Sequence, residues 1–205
     1  MSSPTSNGNA NPTRAAAPLT IIFVLGLPGS GKGTLCSRLA AETDWYHVSV
    51  GDYLRELSMS EKAVTDAAFG ALSLTELRTH LQERKLLPAD TVAAVVAHKV
   101  DQERSRHHVF LIDGFPRTLE SAAAFERVVA TPSHVLLLEC PKDVAKARFV
   151  QRKRGDDDGD IFEKRYEEFQ RLNGEIVARY THKRSSSGGQ EETYQKLRKK
   201  CNAQL

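Results

Sequence analysis

A glycine-rich run at residues 26–34 (GLPGSGKGT) is the feature that most constrains the fold of this chain. It follows an apolar stretch, residues 19–25, and precedes a helix-like pattern, residues 35–41. A strand, a glycine-rich turn and a helix form a cradle for an anion, because backbone N–H groups at the start of a helix attract negative charge. A chance glycine-rich turn is the alternative. The run predicts a nucleoside triphosphate site with contacts from Gly29, Ser30, Gly31, Lys32, Gly33 and Thr34.

Apolar runs and helical patterns alternate along the rest of the chain. Strand-like runs occupy residues 19–25, 46–50, 109–113 and 134–139, and helix-like patterns occupy residues 32–41, 74–84, 91–102, 119–129 and 144–151. The first of these runs is continuously apolar, as in a strand that is buried on both faces. We therefore expect an open α/β fold, with a parallel sheet, helices on both faces and ligands at the carboxyl ends of the strands.

Two inserts interrupt this alternation. One is mainly helical and covers residues 53–87, and the other is short and heavily charged and covers residues 152–162. An amphipathic helix over residues 163–180, a loop at residues 185–189 and a final helix over residues 191–200 are predicted to follow. No fifth strand is expected between residues 180 and 191.

Composition narrows the class of protein. A chain of 205 residues suits one domain, and the net charge of +3 does not by itself favour a nucleic-acid partner. The three cysteines are too far apart to suggest structural zinc. No apolar run approaches the roughly 20 residues that span a bilayer, so no membrane partner is expected. Residues 1–18 are predicted to be a disordered tail of a cytoplasmic protein, and an organelle transit peptide is the alternative.

A second candidate site segment is residues 110–117 (FLIDGFPR), where an apolar strand ends in an acid. A carboxylate at that position beside a phosphate loop can hold Mg²⁺ through bound water, which predicts this role for Asp113. Arg117 can direct its guanidinium fork onto phosphate oxygens. The alternative is an ordinary strand end followed by a turn.

Further arginines follow the other strands and the charged insert. Asp52 is expected to cap a helix that carries Arg55 on its first turn. Arg148 and Arg152 are four residues apart and so share a helical face, and Arg154 and Arg165 surround an aspartate run. Fixed guanidinium groups can stabilise a phosphoryl group during transfer. Solvated surface charges are the alternative.

These segments resemble, in order, the motifs of the nucleoside monophosphate kinases, the family of adenylate kinase and UMP/CMP kinase. The resemblance covers about residues 19–180 and implies a three-layer P-loop sandwich with a helical monophosphate-binding insert near residues 50–87 and a short lid near residues 152–162. It implies a monomer that uses ATP with Mg²⁺ and a domain spanning residues 19–205. The catalytic residues implied are Lys32, Arg117, Arg152, Arg154 and Arg165. Donor contacts are implied for Arg148, Arg152 and Gly188, in addition to the phosphate loop. Acceptor contacts are implied for Ser49, Val50, Arg55, Lys85, Leu86, Leu87, Gly114, Phe115, Pro116, Arg117, Ser121, Arg154 and Arg165.

Several positions depart from the family pattern. Val50 stands where Thr or Ala is usual, and Ser121 stands where Gln or Asn usually reads the acceptor base. An insertion is expected near residues 60–74. The resemblance favours transfer of a phosphoryl group from ATP to AMP, with UMP or CMP as the alternative acceptors. Another small-molecule kinase, or a nucleotide-binding protein that has lost transfer, also remains open.

Overall fold

The computed structural model describes residues 18–59, 73–152 and 158–202. Within these ranges the chain forms five strands and eight α-helices. The strands are β1 (Thr20–Gly26), β2 (Tyr46–Ser49), β3 (Val109–Asp113), β4 (His134–Leu138) and β5 (Arg184–Gly188). The helices are α1 (Lys32–Glu42), α2 (Val50–Met59), α3 (Leu74–Glu83), α4 (Ala89–Glu103), α5 (Leu119–Val128), α6 (Lys142–Gln151), α7 (Gly159–Arg179) and α8 (Gln190–Asn202). A short 3-10 helix, Thr181–Lys183, precedes β5.

The five strands form one parallel sheet in the order β2-β3-β1-β4-β5. Strand β1 lies at its centre and pairs with β3 on one side and with β4 on the other. The predicted α/β architecture with a parallel sheet is confirmed. Because all five strands run the same way, the loops that follow them meet at one edge of the sheet.

Helices cover both faces of the sheet, since successive side chains of a strand point to opposite sides. Ile21 and Phe23 pack into a core with α4, α5 and α7, where aromatic rings meet edge to face. Ile22 and Val24 pack on the other face against α1 and α8. Each apolar side chain of β1 is therefore buried on one face or the other, which explains the continuous apolar run in its sequence.

The fifth strand corrects the sequence analysis, which expected none between residues 180 and 191. Residues 184–188 (RSSSG) contain no apolar residue, so the hydrophobic pattern gave no signal. Pairing in a sheet needs only backbone groups, and β5 pairs with β4 at the sheet edge, with an irregularity between Val135 and Leu136. After this strand the chain continues into α8, which packs against α1 through Tyr194 and Leu197.

Two smaller cores lie beside the sheet. One joins α2, α3 and α4 through Tyr53, Leu57, Leu77 and Val95, in the predicted helical insert. The other joins α6 and α7 and includes Phe149. The predicted disordered tail, the insertion near residues 60–74 except its last two residues, and the centre of the lid with Arg154 lie outside the described residues. In the described ranges no helix is both long and apolar enough to cross a membrane.

Candidate active site

A cavity of 820 Å³ opens at the carboxyl edge of the sheet. This volume lies within the usual range of small-molecule sites. Its walls come from the phosphate loop (residues 26–34), the turns that follow β2 and β3, the helices α6 and α7 and the start of α8. The sequence-predicted residues that line it are Gly29, Gly31, Lys32, Gly33, Thr34, Ser49, Arg55, Asp113, Gly114, Phe115, Pro116, Arg117, Arg148, Arg152 and Arg165. Segments far apart in the sequence thus contribute to one cavity.

The phosphate loop joins β1 directly to α1. Gly29 has a φ of 79°, and a Cβ atom there would lie 2.1 Å from the backbone oxygen of Ala145. Only glycine therefore lets α6 approach the loop this closely. Helix α1 begins at Lys32, whose Nζ donates hydrogen bonds to the backbone oxygens of Gly26 (2.9 Å) and Leu27 (2.8 Å). The ammonium group is held at the start of a helix, where anions bind favourably.

Opposite charges meet at the centre of the cavity. Burial is the main cause that lowers the pKa of Lys32; the carboxylate of Asp113 opposes this shift, and the Arg117 guanidinium adds to it. Burial, with the Asp113 charge, raises the pKa of the adjacent Cys36 thiol well above its usual value. Lys32 therefore lies in the electrostatic field of Asp113 and Arg117, near the end of β3, and of Arg152, at the end of α6.

Asp113 lies at the end of β3 and faces the phosphate loop. Its Oδ2 is 3.6 Å from the position that a Cβ atom of Gly33 would take and 3.7 Å from Nε2 of His47. Among the described residues no group of three acidic, histidine or cysteine side chains could enclose a metal ion. One carboxylate and the hydroxyl of Thr34, which also lines the cavity, nevertheless suit Mg²⁺, which keeps several waters and takes its other ligands from substrate phosphates. The residues present therefore fit Mg²⁺ that arrives with a nucleotide.

Helix α2, which follows β2 directly, contributes a second cation to the cavity, the guanidinium of Arg55. Ser49 Oγ donates a hydrogen bond to Asp52 (2.6 Å), and Asp52 in turn accepts from Arg55. The guanidinium of Arg55 folds back over Gly51, with two nitrogens 3.7 Å from the position of a Cβ atom there. The prediction that Asp52 caps this helix is wrong, because α2 begins earlier, at Val50, and Asp52 lies in its first turn. Asp52 instead orients Arg55 at the cavity wall.

Arg117 occupies the wall between the turn after β3 and α7. Its Nε donates a hydrogen bond to the backbone oxygen of Gly114 (3.2 Å). The side chain is exposed to the cavity, but protein atoms surround it, and this crowding is the main cause that lowers its pKa. The carboxylate of Glu168 is the next cause and raises the pKa, as does Asp113. A guanidinium that is exposed to a cavity and anchored at one nitrogen can bind an anionic group there.

Two arginines near the lid share one aromatic ring. The guanidinium carbon of Arg152 lies 4.1 Å from the centre of the Phe149 ring, and that of Arg165 lies 5.5 Å from it. Arg148 also lines the cavity from α6. The structure thus places Arg148, Arg152 and Arg165 in the lining of one cavity.

Other predicted contacts do not line the cavity. Val50 is buried in the main core. Ser121 is 4% exposed, and its hydroxyl donates to the backbone oxygen of Thr118 (2.8 Å) within the capping box of α5. Lys85 pairs with Glu83 at the surface. Ser30, Leu86 and Leu87 also lie outside the cavity lining, and Gly188 is the last residue of β5.

The cavity also contains residues that the sequence analysis missed. One face of α7 contributes Glu168, Phe169, Leu172, Asn173 and Ile176, and α8 contributes Gln190. The Oε1 atom of Gln190 lies 2.5 Å from the position of a Cβ atom at Gly31, so this side chain rests on the phosphate loop. The three- and four-residue spacing along α7 was a usable signal, because such positions share one helical face. Gln190 could not be predicted, because the position of α8 depends on β5, a strand that the sequence analysis did not expect.

Comparisons with known proteins agree with this arrangement. A family model described as adenylate kinase matches residues 24–185. A UMP-CMP kinase of Prunus armeniaca is 34% identical over 195 residues, which cover 91% of this chain and 80% of the relative. A uridylate kinase of Saccharomyces cerevisiae is 30% identical over 178 residues, covering 84% and 83% respectively. UMP-CMP kinase 2 of Oryza sativa subsp. japonica is 36% identical over 183 residues, covering 85% and 70%.

Proposed function

The chain belongs to the adenylate kinase family and is a nucleoside monophosphate kinase, and we propose that its acceptor is UMP or CMP, with ATP as the donor. The observation that carries the proposal is the cavity that Lys32 of the phosphate loop shares with arginines from α2, the turn after β3, α6 and α7. Two nucleotides placed end to end would bring their phosphates to this cluster of cations.

The choice of a pyrimidine acceptor rests on the relatives. The preference for AMP in the sequence analysis is not confirmed, and the three relatives reported above are a uridylate kinase and two UMP-CMP kinases. Ser121 and Val50, the positions expected to contact the base, lie outside the cavity lining. The Ser121 hydroxyl donates its hydrogen bond to the backbone oxygen of Thr118, so it offers no contact that would favour adenine.

The proposed reaction needs charge stabilisation and alignment rather than a general base. An oxygen of the acceptor monophosphate attacks the γ-phosphorus of ATP, and the bond from that phosphorus to the oxygen bridging to the β-phosphate breaks. The attacking phosphate oxygen is already anionic, so no proton has to be removed first. The products are ADP and a nucleoside diphosphate. Catalysis then depends on fixed cations and on the exclusion of water.

Each cation has a distinct part in this proposal. Lys32 and the backbone amides of the phosphate loop hold the donor phosphates. Arg55 and Arg117 bind the acceptor phosphate from opposite walls. Arg152 and Arg165, with Arg154 of the lid, stabilise charge on the group in transfer.

Asp113 and Thr34 would hold Mg²⁺ together with the phosphates, and the ion would neutralise charge on their oxygens. The side chains are arranged for this without a dedicated metal cage, since Asp113 faces the phosphate loop across Gly33. His47 also lines the cavity, and its Nε2 lies 3.7 Å from Oδ2 of Asp113.

A panel of five acceptors, AMP, GMP, CMP, UMP and dTMP, each with ATP and Mg²⁺, tests the proposal. We expect kcat/KM for UMP or CMP to exceed that for AMP by about tenfold or more, since a difference in pocket contacts between two substrates commonly gives at least this discrimination. The variant Lys32→Met, prepared in the same way, controls for contaminating kinases. A preference for AMP would overturn the pyrimidine assignment, and ATP binding without turnover of any acceptor would favour a nucleotide-binding protein that has lost transfer.

A further inference from the structure

Gln190 places an uncharged carboxamide against the phosphate loop, where no sequence motif predicts one. It is the first residue of α8, and its side chain lines the cavity. Its Oε1 lies 2.5 Å and its Cδ 2.9 Å from the position that a Cβ atom of Gly31 would take. The carboxamide therefore occupies the space that a side chain at Gly31 would fill, directly beside the start of α1.

Contacts along α8 hold this carboxamide in place. Tyr194 and Leu197 are buried against α1, and the guanidinium carbon of Arg38 lies 3.4 Å from the centre of the Tyr194 ring. The Tyr194 hydroxyl donates a hydrogen bond to Glu42, at the end of α1. Because Gln190 begins the helix that these contacts fix, its side chain has a defined place on the phosphate loop.

The Gln190 carboxamide is available to a bound ligand. The residue is half-buried, and its side chain has no hydrogen-bond partner within the part of the chain that the structure describes. A carboxamide offers two N–H donors and one oxygen acceptor. A polar group that is shielded from water and left unpaired costs free energy, so a ligand that supplies a partner there gains affinity.

The order of the strands places Gln190 on the donor side of the cavity. The phosphate loop follows β1, at the centre of the order β2-β3-β1-β4-β5. Arg55 follows β2 and Arg117 follows β3, so the proposed acceptor phosphate lies to one side of the loop. Helices α6 and α8 follow β4 and β5, on the other side. A donor whose terminal phosphate faces the acceptor extends away from it, toward α6 and α8.

We propose that Gln190 is a specificity-determining residue for the donor, whose carboxamide forms a hydrogen bond with a polar atom of the nucleoside part of ATP, on the ribose or on the base. This inference rests on the proposed function, in which ATP is the donor and its phosphates bind at the phosphate loop. The loop amides and Lys32 hold the phosphates of any nucleoside triphosphate alike. A neutral hydrogen-bonding group beside them can distinguish nucleosides, because an analogue without the matching atom leaves the carboxamide unpaired.

The test compares Gln190→Met with the matched control Gln195→Met on the full chain. Methionine is unbranched, like glutamine, and lacks its N–H donors. Gln195 is exposed, does not line the cavity and donates a hydrogen bond to Glu191 within the same helix. By titration calorimetry we expect Gln190→Met to weaken ATP binding by about three- to tenfold, the usual contribution of one hydrogen bond. Gln195→Met should stay within about twofold of the parent, as surface substitutions commonly do.

Inorganic tripolyphosphate separates a nucleoside contact from a change in the phosphate loop. It carries the phosphates of the donor without ribose or base, so we expect Gln190→Met to bind it within about twofold of the parent, which also shows that the loop is intact. Equal losses of affinity for ATP and for tripolyphosphate overturn the inference, because the effect then lies in the phosphate loop. Unchanged affinity for ATP overturns it as well.

Two ATP analogues, 2′-deoxy-ATP and 3′-deoxy-ATP, identify the atom that Gln190 contacts. If the loss caused by Gln190→Met disappears with either analogue, the partner is a ribose hydroxyl, and if it persists with both, the partner is the base. These titrations need no acceptor and no turnover, so they separate the inference from the proposed function. A parent chain that binds no ATP overturns both, whereas normal ATP binding by Gln190→Met overturns the inference alone.

Discussion

Arg117 shows how a single side chain is prepared to bind a phosphate. Its Nε is tied to the Gly114 backbone, which leaves the terminal nitrogens to face the cavity. Burial lowers its pKa but does not discharge it, because guanidinium groups stay protonated in proteins. The result is a cation that is anchored through its Nε and exposed to the cavity. Such a group stabilises phosphate charge more strongly than a mobile surface arginine.

Replacement of Arg117 by alanine should therefore impair transfer and leave donor binding intact. We expect Arg117→Ala to lower kcat/KM for UMP by about a hundredfold or more, as the loss of one preorganised charge in an active site commonly does. The affinity for ATP, measured by calorimetry, should stay within about twofold, because the donor phosphates bind at the phosphate loop.

Arg127→Ala is the matched control for that experiment. Arg127 lies on α5, pairs with Asp90 and is largely exposed, so its loss should change neither kcat nor the ATP affinity. If Arg117→Ala kept full turnover, Arg117 would have no part in binding the acceptor.

Individual site residues could be predicted where a motif places them. Lys32, Asp113 and Arg117 stand at fixed positions after strands, and the chain direction alone brings them to one edge of the sheet. Glu168 and Asn173 could not be predicted in this way. They lie within a long amphipathic helix, where no motif marks them and only their spacing from Arg165 places them on the helical face that lines the cavity.

At the scale of elements, the hydrogen bonds at the start of α5 show that Ser121 caps this helix, whereas the sequence analysis expected it to contact the acceptor base. Thr118 precedes the helix and accepts a hydrogen bond from the Ser121 backbone, while the Ser121 hydroxyl accepts from the Thr118 backbone and donates to its oxygen. This reciprocal capping satisfies groups that a helix end otherwise leaves free. Ser121 therefore has a structural role in α5.

We expect Ser121→Ala to lower the free energy of unfolding by about 1 kcal/mol, the usual cost of losing a capping contact. The KM for UMP should not change by more than about twofold, an effect below 0.5 kcal/mol. Urea unfolding and steady-state kinetics measure the two quantities. Ser133→Ala, at an exposed loop position, is the control for stability. A large rise in KM with unchanged stability would show that Ser121 contacts the acceptor instead.

The elements differ in how well their sequences predicted them. Strands β1 and β3 carry continuous apolar residues, so their positions were predicted to within a residue. Strand β5 was missed because its sequence contains serine and glycine but no apolar residue, although backbone pairing with β4 suffices to form it. The same omission hid Gln190, since the position of α8 over the phosphate loop depends on β5.

Across the whole molecule, the parallel sheet explains why distant segments form one site. The turns after β1, β2 and β3 all open at the carboxyl edge, and α7 crosses the same edge to add Arg165 and Glu168. The order of motifs and the alternation of strands and helices predicted this convergence. The dimensions of the cavity and the acids within it depend on packing between elements, which no local pattern determines.

The central claim is that this cavity binds a donor and an acceptor nucleotide end to end. Calorimetric titration with adenosine and uridine joined through a pentaphosphate chain tests it most directly. We predict one molecule bound per chain with an affinity at least about a hundredfold greater than that of ATP or UMP alone, because linking two ligands removes much of the entropy cost of the second binding step. Binding no tighter than that of ATP alone would contradict the account.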